Sequence, residues 1–250
     1  ANAPQANWFV RLSDVAPDGQ VTLITGAGFN GTHRQSASEP SLLPANEFFP
    51  LDIKLHFTSW VFPKGHRVRI SIGNAQWPMF WPTPYPMTTQ LVVGGAEGAR
   101  IDLPVIPPGP ASTPAFDPPA KGPELAGYRT IDMGNSSGYG EVSEIARDPE
   151  TGEAVVTLEN SSTYQFPWGR ETWSEEIEHR TSDEHPENTS VHGLHSIETS
   201  LDNRTLRWEG ELSIRRDREN LYYDFTRRLH ENGELLREKH WKETIPRDFQ

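Results

Sequence analysis

One pentapeptide in this chain has the spacing of a serine nucleophile. Residues 134–138 read Gly-Asn-Ser-Ser-Gly and match the G-x-S-x-G pattern, with Ser136 at the nucleophile position. That chemistry requires a buried strand before the serine and a helix after it, so that the hydroxyl is held exposed at the strand end. A polar stretch precedes the motif and a strand pattern follows it. We therefore interpret the match as a glycine-rich loop and assign no catalytic residue to this chain.

A group of histidines near acidic residues is the second candidate, for a metal site. The group consists of His179, His185, His192 and His195, with Glu176, Glu178 and Glu184 nearby. Zinc requires three or four converging ligands. His192 and His195 are three residues apart, which places them on opposite faces of a strand, and the local pattern is that of a strand. We therefore predict surface histidines, with no metal and no other cofactor.

The segment 74–87, called the aromatic loop here, is the candidate for binding or docking. Four aromatic side chains alternate with four prolines in it: Trp77, Phe80, Trp81 and Tyr85. Prolines restrict the unfolded chain, so the loop can present its rings at a low entropic cost. Two interpretations stay open. The rings form a hydrophobic plug that packs within the domain or on a neighbouring one, or they form a wall of a substrate cleft.

Composition excludes several classes of function. The net charge is −12, which disfavours a nucleic-acid partner, and almost all of the excess lies after residue 120. No apolar run approaches the length needed to span a membrane. The chain has no cysteine, so it has no disulfide framework and no thiolate chemistry. These features fit a cytoplasmic protein, while a secreted or periplasmic location stays open.

The elements that would position the aromatic loop are strands. Period-two alternation of apolar and polar residues indicates strands in the first half at 8–15, 21–25, 51–57, 68–72 and 88–93, with a shorter one at 101–103. The aromatic loop lies between the strands 68–72 and 88–93. From residue 104 to residue 123, 8 of the 20 residues are proline. Because proline cannot maintain a hydrogen-bonded ladder, this segment is predicted to be a linker or strap.

The second half is predicted to be a run of long antiparallel strands. The pattern marks them at 140–147, 154–158, 173–179, 191–201, 206–214, 221–229 and 235–243. Asn232-Gly233 separates the last two and favours a tight type I′ hairpin. Alternation such as Leu206, Trp208, Gly210, Leu212 and Ile214 predicts a sheet with one packed and one solvated face.

Two stretches resemble a known family. They are "NWFVRLSDVAPDGQVTLITGAG" at 7–28 and "HFTSWVFPKGHRVRISIGNAQWPMFWPTPYPM" at 56–87. Both resemble the C-terminal domain of X-prolyl dipeptidyl-peptidase and cocaine-esterase-like serine hydrolases, in detail over 7–107 and more loosely afterwards. The resemblance implies a jelly-roll, galactose-binding-like β-sandwich. It also implies an upstream α/β-hydrolase domain that holds the catalytic Ser, Asp and His, for which this sequence contains no counterpart.

We therefore predict an all-β chain in three parts. Residues 1–107 form the jelly-roll β domain, with its first strand or strands missing, and residues 108–124 form the proline-rich linker. Residues 125–250 form a further antiparallel sheet that packs on the jelly roll. The chain is accordingly expected to be a fragment, whose exposed sheet edge pairs with another chain or with the missing segment.

The function implied by the resemblance is that of a non-catalytic module of a serine hydrolase. It would pack on the upstream catalytic domain, in the same chain or in trans, and shape the cleft for an acyl ester or an X-Pro peptide. Homo-oligomers stay open, while nucleic acid and membrane partners are not expected. The alternative is a free-standing carbohydrate-binding jelly roll in which Trp77, Trp81 and Tyr85 stack on sugar rings.

Overall fold

The chain is built almost entirely of antiparallel strands, in a computed structural model that describes residues 1–106, 109, 115–134 and 144–249. The strands are β1 Asn7–Val15, β2 Val21–Asn30, β3 Arg67–Gly73, β4 Arg129–Asp132, β5 Glu144–Arg147, β6 Glu153–Phe166, β7 Gly169–Ser182, β8 Ser190–Ser200, β9 Thr205–Arg216, β10 Asn220–Glu231 and β11 Glu234–Pro246. Two short 3-10 turns accompany them, at Gly31–His33 and Pro186–Asn188. The predicted all-β class is confirmed.

The first half forms a three-stranded sheet in the order β2-β1-β3. β1 pairs antiparallel with β2 on one side and with β3 on the other. Its core consists of Ala6, Trp8 and Leu43, and Phe49, Leu51 and Ile53 pack partly against it. The Trp8 indole N–H donates a hydrogen bond to the Thr89 hydroxyl at 3.0 Å. This bond ties the segment that follows the aromatic loop to β1.

Three predicted strands of the first half are wrong. Residues 51–57, 88–93 and 101–103 belong to no strand, although Leu51, Ile53 and Leu55 keep the expected alternation of inward and outward side chains. A period-two pattern determines which side chains face inward, but a ladder also requires a partner strand with free N–H and C=O groups. Within the described residues these segments have no such partner. β2, by contrast, extends five residues beyond its predicted end at Thr25.

The second half forms an eight-stranded antiparallel sheet in the order β11-β10-β9-β8-β7-β6-β4, with β5 also paired to β6. The predicted strands from 154 onward are confirmed, although β6 and β7 are longer than the pattern indicated. Of the predicted strand 140–147, residues 144–147 form β5, and residues 140–143 lie outside the described residues. β4 was not predicted. Asn232 and Gly233 have φ values of 51° and 88°, as a type I′ turn requires. The β10–β11 hairpin therefore has the predicted turn, and its ladder is irregular between Leu229 and His230.

The two faces of the eight-stranded sheet differ in polarity. Residues directly opposite each other in the ladders share a face, and one face carries most of the apolar side chains: Leu158, Ile177, Leu212, Phe225 and Trp241. At one end of this face, Val156 and Leu158 are buried. Trp208, predicted to be a core residue, stays 37% exposed, and the Arg227 guanidinium lies 4.5 Å from its ring centroid.

Candidate functional site

The aromatic loop begins directly after β3 with a very short hairpin. The Gln76 N–H donates to the Phe80 carbonyl at 3.0 Å, and the Phe80 N–H donates to the Gln76 carbonyl at 2.9 Å. The four prolines of the loop cannot donate backbone hydrogen bonds and restrict its conformation. The hairpin therefore fixes the directions in which the side chains of Trp77 and Phe80 point.

One side of the loop packs on the three-stranded sheet. The Phe80 ring lies 5.9 Å from the Phe9 ring, on β1. It also lies over Gly28 of β2, where an added Cβ would come within 3.0 Å of the Phe80 ring. Glycine at position 28 therefore leaves the space that Phe80 occupies.

The same side of the loop is held by hydrogen bonds to the first residue of β1 and to the segment before it. The Thr83 hydroxyl donates to the Gln5 carbonyl at 2.9 Å, and the Asn7 side-chain amide donates to the Trp81 carbonyl at 3.5 Å. Thr83 and Pro84 are buried. The middle of the loop is thus an integral part of the first half of the molecule.

The other side of the loop faces the eight-stranded sheet. The Trp77 ring stands edge-on to His179 of β7, with the ring centroids 6.4 Å apart. His179 is buried, and burial lowers the pKa of its imidazole. The imidazole is therefore neutral at pH 7, and it packs against the Trp77 indole as an uncharged aromatic ring.

Arg216, the last residue of β9, makes the most specific contact across this interface. Its Nη2 donates to the carbonyl of Pro82 at 2.8 Å, to the carbonyl of Pro186 at 2.7 Å and to the hydroxyl of Thr189 at 3.0 Å. Its guanidinium carbon lies 5.1 Å from the Trp81 ring centroid. Three hydrogen bonds and an aromatic face thus surround one cation.

The charge of Arg216 is shielded from water. The residue is only 6% exposed. The pKa of its guanidinium is lowered to about 9, mainly by burial and also by the positive charge of Arg247, while the carboxylate of Glu187 opposes this shift. At pH 7 Arg216 is still a cation. Its hydrogen bonds to oxygen acceptors therefore replace the hydration that burial removes.

Further contacts extend this interface on either side of Arg216. The Arg218 guanidinium lies 5.7 Å from the Tyr85 ring centroid and forms an ion pair with Glu187 at 3.2 Å. The Phe249 carbonyl accepts hydrogen bonds from the Asn30 amide at 2.8 Å and from the Thr32 hydroxyl at 3.1 Å. The two halves of the chain are therefore joined at several points around the aromatic loop.

The structure brings the four predicted aromatic residues into one interface. Phe80 contacts the three-stranded sheet, whereas Trp77, Trp81 and Tyr85 contact the eight-stranded sheet through His179, Arg216 and Arg218. All four rings are partly buried. The sequence did not identify the arginine partners, because Arg215, Arg216 and Arg218 lie in one charged run and only the fold distinguishes them.

The other candidates from the sequence are the Ser136 motif and the histidine group. Ser136 lies outside the described residues. His192 and His195 lie on opposite faces of β8, as strand geometry predicted, with His192 opposite Glu178 and His195 opposite Glu175. In the part of the chain that the structure describes, no three His, Asp or Glu side chains are close enough together to hold a metal ion.

A buried polar cluster in the first half was missed by the sequence reasoning. Asp14 of β1 is 4% exposed, and its carboxylate accepts hydrogen bonds from the Trp60 indole at 3.0 Å and from His66 Nδ1 at 2.8 Å. The cluster fixes the chain before β3 against β1. No sequence motif indicates it, because Asp14 is more than forty residues away from Trp60 and His66 along the chain.

The class of protein defined by these features is an all-β module of two antiparallel sheets that contact each other through the aromatic loop. Residues 1–101 match the family model of the X-Pro dipeptidyl-peptidase C-terminal non-catalytic domain. The resemblance predicted from the sequence is therefore confirmed over this part of the chain.

Three curated proteins illustrate the similarity. Two provisionally named serine esterases, from Mycobacterium bovis and Mycobacterium tuberculosis, are each 31% identical to this chain over 126 residues, which covers 43% of the chain and 20% of the relative. The cocaine esterase of a Rhodococcus species is 26% identical over 80 residues, covering 32% of the chain and 14% of the esterase. The chain thus spans a fifth or less of the length of these relatives. No solved structure matches it.

Among the described residues, no helix has the length and apolar content that crossing a membrane requires.

Proposed function

We propose that this chain is the non-catalytic C-terminal module of an α/β-hydrolase-type serine hydrolase. It packs on the catalytic domain and shapes one wall of the substrate cleft. The parent protein would hydrolyse an acyl ester or an X-Pro peptide through an acyl-serine intermediate. The match to a non-catalytic domain and the esterase names of the relatives support this proposal. A cytoplasmic location belongs to the same proposal.

The observation that carries the proposal is the apolar surface on the first half of the chain. Val68, Ile70 and Ile72 lie on one face of β3 and are 38–46% exposed. Other exposed apolar residues of this half are Phe57, Val61, Leu91, Val93, Val105 and Ile106. Large apolar patches on a protein surface are typical of interaction sites. We infer that the catalytic domain covers this one.

The total surface of the chain supports the same inference. The accessible area is 17562 Å² for a mass of 28.2 kDa. A compact monomer of that mass exposes about 11,000 Å². The excess is large enough to include an extensive interface with another domain.

The open edges of the three-stranded sheet add a second line of support. Within the described residues, β2 and β3 each pair only with β1. An additional strand could pair with either edge. We propose that such pairing completes the jelly-roll sandwich.

The aromatic loop has a defined place in this proposal. Trp77, Phe80, Trp81 and Tyr85 link the two sheets, and Met79 at the tip of the short hairpin is 68% exposed. We propose that this exposed tip forms the cleft wall and that the four rings hold it in place. Because three of the rings contact protein side chains, their present contacts favour packing over sugar stacking.

A binding experiment tests the proposal. The chain would be titrated with the separately expressed α/β-hydrolase domain of its own protein and followed by calorimetry. We expect Ile70→Asp to weaken binding about tenfold or more, because it places a charge in the apolar contact. Leu194→Asp is the matched control, since Leu194 is exposed to a similar extent, 42%, but lies on the eight-stranded sheet. Absence of binding by the unmodified chain, or equal effects of both substitutions, would contradict the proposal.

A further inference from the structure

The outer edge of the eight-stranded sheet is a long strand with no partner on one side. β11 runs over thirteen residues and, within the described chain, pairs only with β10. Twelve of its residues are exposed, and only Trp241 is partly buried. Its outward N–H and C=O groups are therefore available for pairing with another strand.

Charges of opposite sign lie at equal distances before and after His240 on β11. Arg237 and Glu243 lie three residues on either side of it, and Glu238 and Lys242 lie two residues on either side. We propose that β11 pairs antiparallel with β11 of a second copy of this chain, about a two-fold axis through His240. The two eight-stranded sheets then continue into each other across a homodimer.

This register matches each charged side chain between Arg237 and Glu243 with a favourable partner. Arg237 faces Glu243 of the second copy, Glu238 faces Lys242, and Lys239 faces Trp241. The members of each pair are separated by an even number of residues, so both lie on the same face of the sheet. The two-fold axis produces every pair twice.

Neighbouring registers are less favourable. An axis through Lys239 or through Lys242 would place a lysine opposite its own copy. An axis through Glu238 would oppose two glutamates and would also set Arg237 against Lys239. An axis through Trp241 would form only one pair of opposite charges, Lys239 with Glu243, and would leave Arg237 and Glu238 without a charged partner. Like charges directly opposite each other destabilise a ladder, so the pattern selects the register through His240.

The contacts within one chain leave room for these pairs. Arg237 and Glu243 take part in no ion pair within the described chain, although both are exposed and charged. Glu238 already pairs with Arg228 at 2.7 Å, and Lys242 lies 3.6 Å from Asp224. Pairing Glu238 with Lys242 across the axis would therefore join two existing ion pairs into one network. Lys239 lies 4.5 Å from its own Trp241 ring and would gain a second indole.

A single-cysteine experiment reads the register directly, because the natural chain has no cysteine. In the proposed dimer His240 is opposite its own copy, at a Cα separation of about 5 Å that a disulfide can span. We expect His240→Cys to form a disulfide-linked dimer under mild oxidation. Lys242→Cys is the matched control on the same strand and face. Its two copies would lie about 13 Å apart along the strands and should not cross-link.

Charge reversal supplies an independent test by sedimentation velocity. Arg237→Glu alone and Glu243→Arg alone should each weaken dimerisation about tenfold or more, because each creates two like-charge pairs. The double variant Arg237→Glu/Glu243→Arg restores both pairs and should dimerise like the unmodified chain. A mixture of the two single variants should form heterodimers. Arg129→Glu, on exposed β4 at the opposite edge, is the control and should have no effect.

The outcomes separate the proposal from its rivals. Circular dichroism establishes that each variant is folded before it is compared. A monomeric unmodified chain overturns the proposal. Association that is unchanged by the charge reversals, or equal cross-linking by His240→Cys and Lys242→Cys, also overturns it, because the contact then lies on another surface.

Discussion

The two sheets of this chain differ in how completely each pairs its own strands. The eight-stranded sheet joins consecutive long strands through hairpins, with continuous ladders from β6 to β11. The three-stranded sheet has only β1 paired on both sides, and it leaves Val68, Ile70 and Ile72 exposed. Alternation of apolar and polar residues is equally clear in both halves. The difference shows that local hairpins suffice for the second sheet, whereas the first depends on partners that are distant in sequence.

The largest expected effect separates the cores of the two sheets. Trp8→Ala should lower the free energy of unfolding by about 3–5 kcal/mol, because Trp8 is buried at the centre of the first core. Trp208→Ala should cost less than about 2 kcal/mol, because Trp208 is 37% exposed on its sheet. Urea denaturation followed by circular dichroism measures both. Equal losses would mean that the second sheet has a buried core around Trp208.

The next effect concerns the contact between the sheets. Arg216→Met should lower the free energy of unfolding by about 3 kcal/mol, because it removes three hydrogen bonds and leaves two buried carbonyls without this donor. Arg215→Met is the control, since Arg215 is exposed one residue earlier on β9. It should change the stability by less than about 0.5 kcal/mol. Similar losses for the two variants would show that Arg216 acts only through the charge of this segment.

A smaller effect is a pH dependence at the same contact. Burial lowers the pKa of His179 in the folded chain, so the unfolded chain binds a proton more readily. Stability from this group is complete above about pH 6.5 and is lost as the pH falls below that value. Urea midpoints at about pH 7.5 and about pH 5.5 should therefore differ less in His179→Gln than in the unmodified chain. His56→Gln, in an exposed segment of the first half, should leave the difference unchanged.

The smallest expected effect concerns a glycine in the β10–β11 turn, compared with a glycine inside a strand of the same sheet. Gly233 has a φ of 88° in the β10–β11 hairpin, so Gly233→Ala should cost about 1 kcal/mol. Gly193 lies inside β8 with an ordinary backbone, and an added Cβ would meet its nearest neighbours at 3.8 Å. Gly193→Ala should therefore be neutral or slightly stabilising. A larger loss at position 193 than at position 233 would mean that the hairpin turn does not govern the stability of this edge.

The second sheet could be predicted from the sequence because its information is local. Alternation over 206–214 and 221–229 located β9 and β10, and Asn232-Gly233 determined the turn that follows. The extra length of β6 was not predicted, because 159–166 is polar and lacks clear alternation. Its pairing with β7 supplies the ladder that the local pattern did not indicate.

The candidate site was only half predictable. The density of Trp, Phe, Tyr and Pro identified the aromatic loop, since such rings must pack on something. Its partners His179 and Arg216 are about a hundred residues or more away along the chain, and no spacing rule connects them to it. The sequence also predicted a strand over 51–57 because the pattern records orientation alone. Whether a ladder forms depends on contacts that a single sequence does not show.

The hydrogen bonds of Arg216 also have a mechanical consequence. Apolar side chains can slide over one another with little change in energy, whereas a planar guanidinium satisfies its acceptors only over a narrow range of angles. Its acceptors here lie on the aromatic loop, in the first half of the chain, and at the Pro186–Asn188 turn, in the second half. Rocking of one sheet against the other would break at least one of these bonds. Arg216 therefore restricts rotation of one sheet relative to the other, and the tip of the aromatic loop keeps a constant direction relative to both sheets.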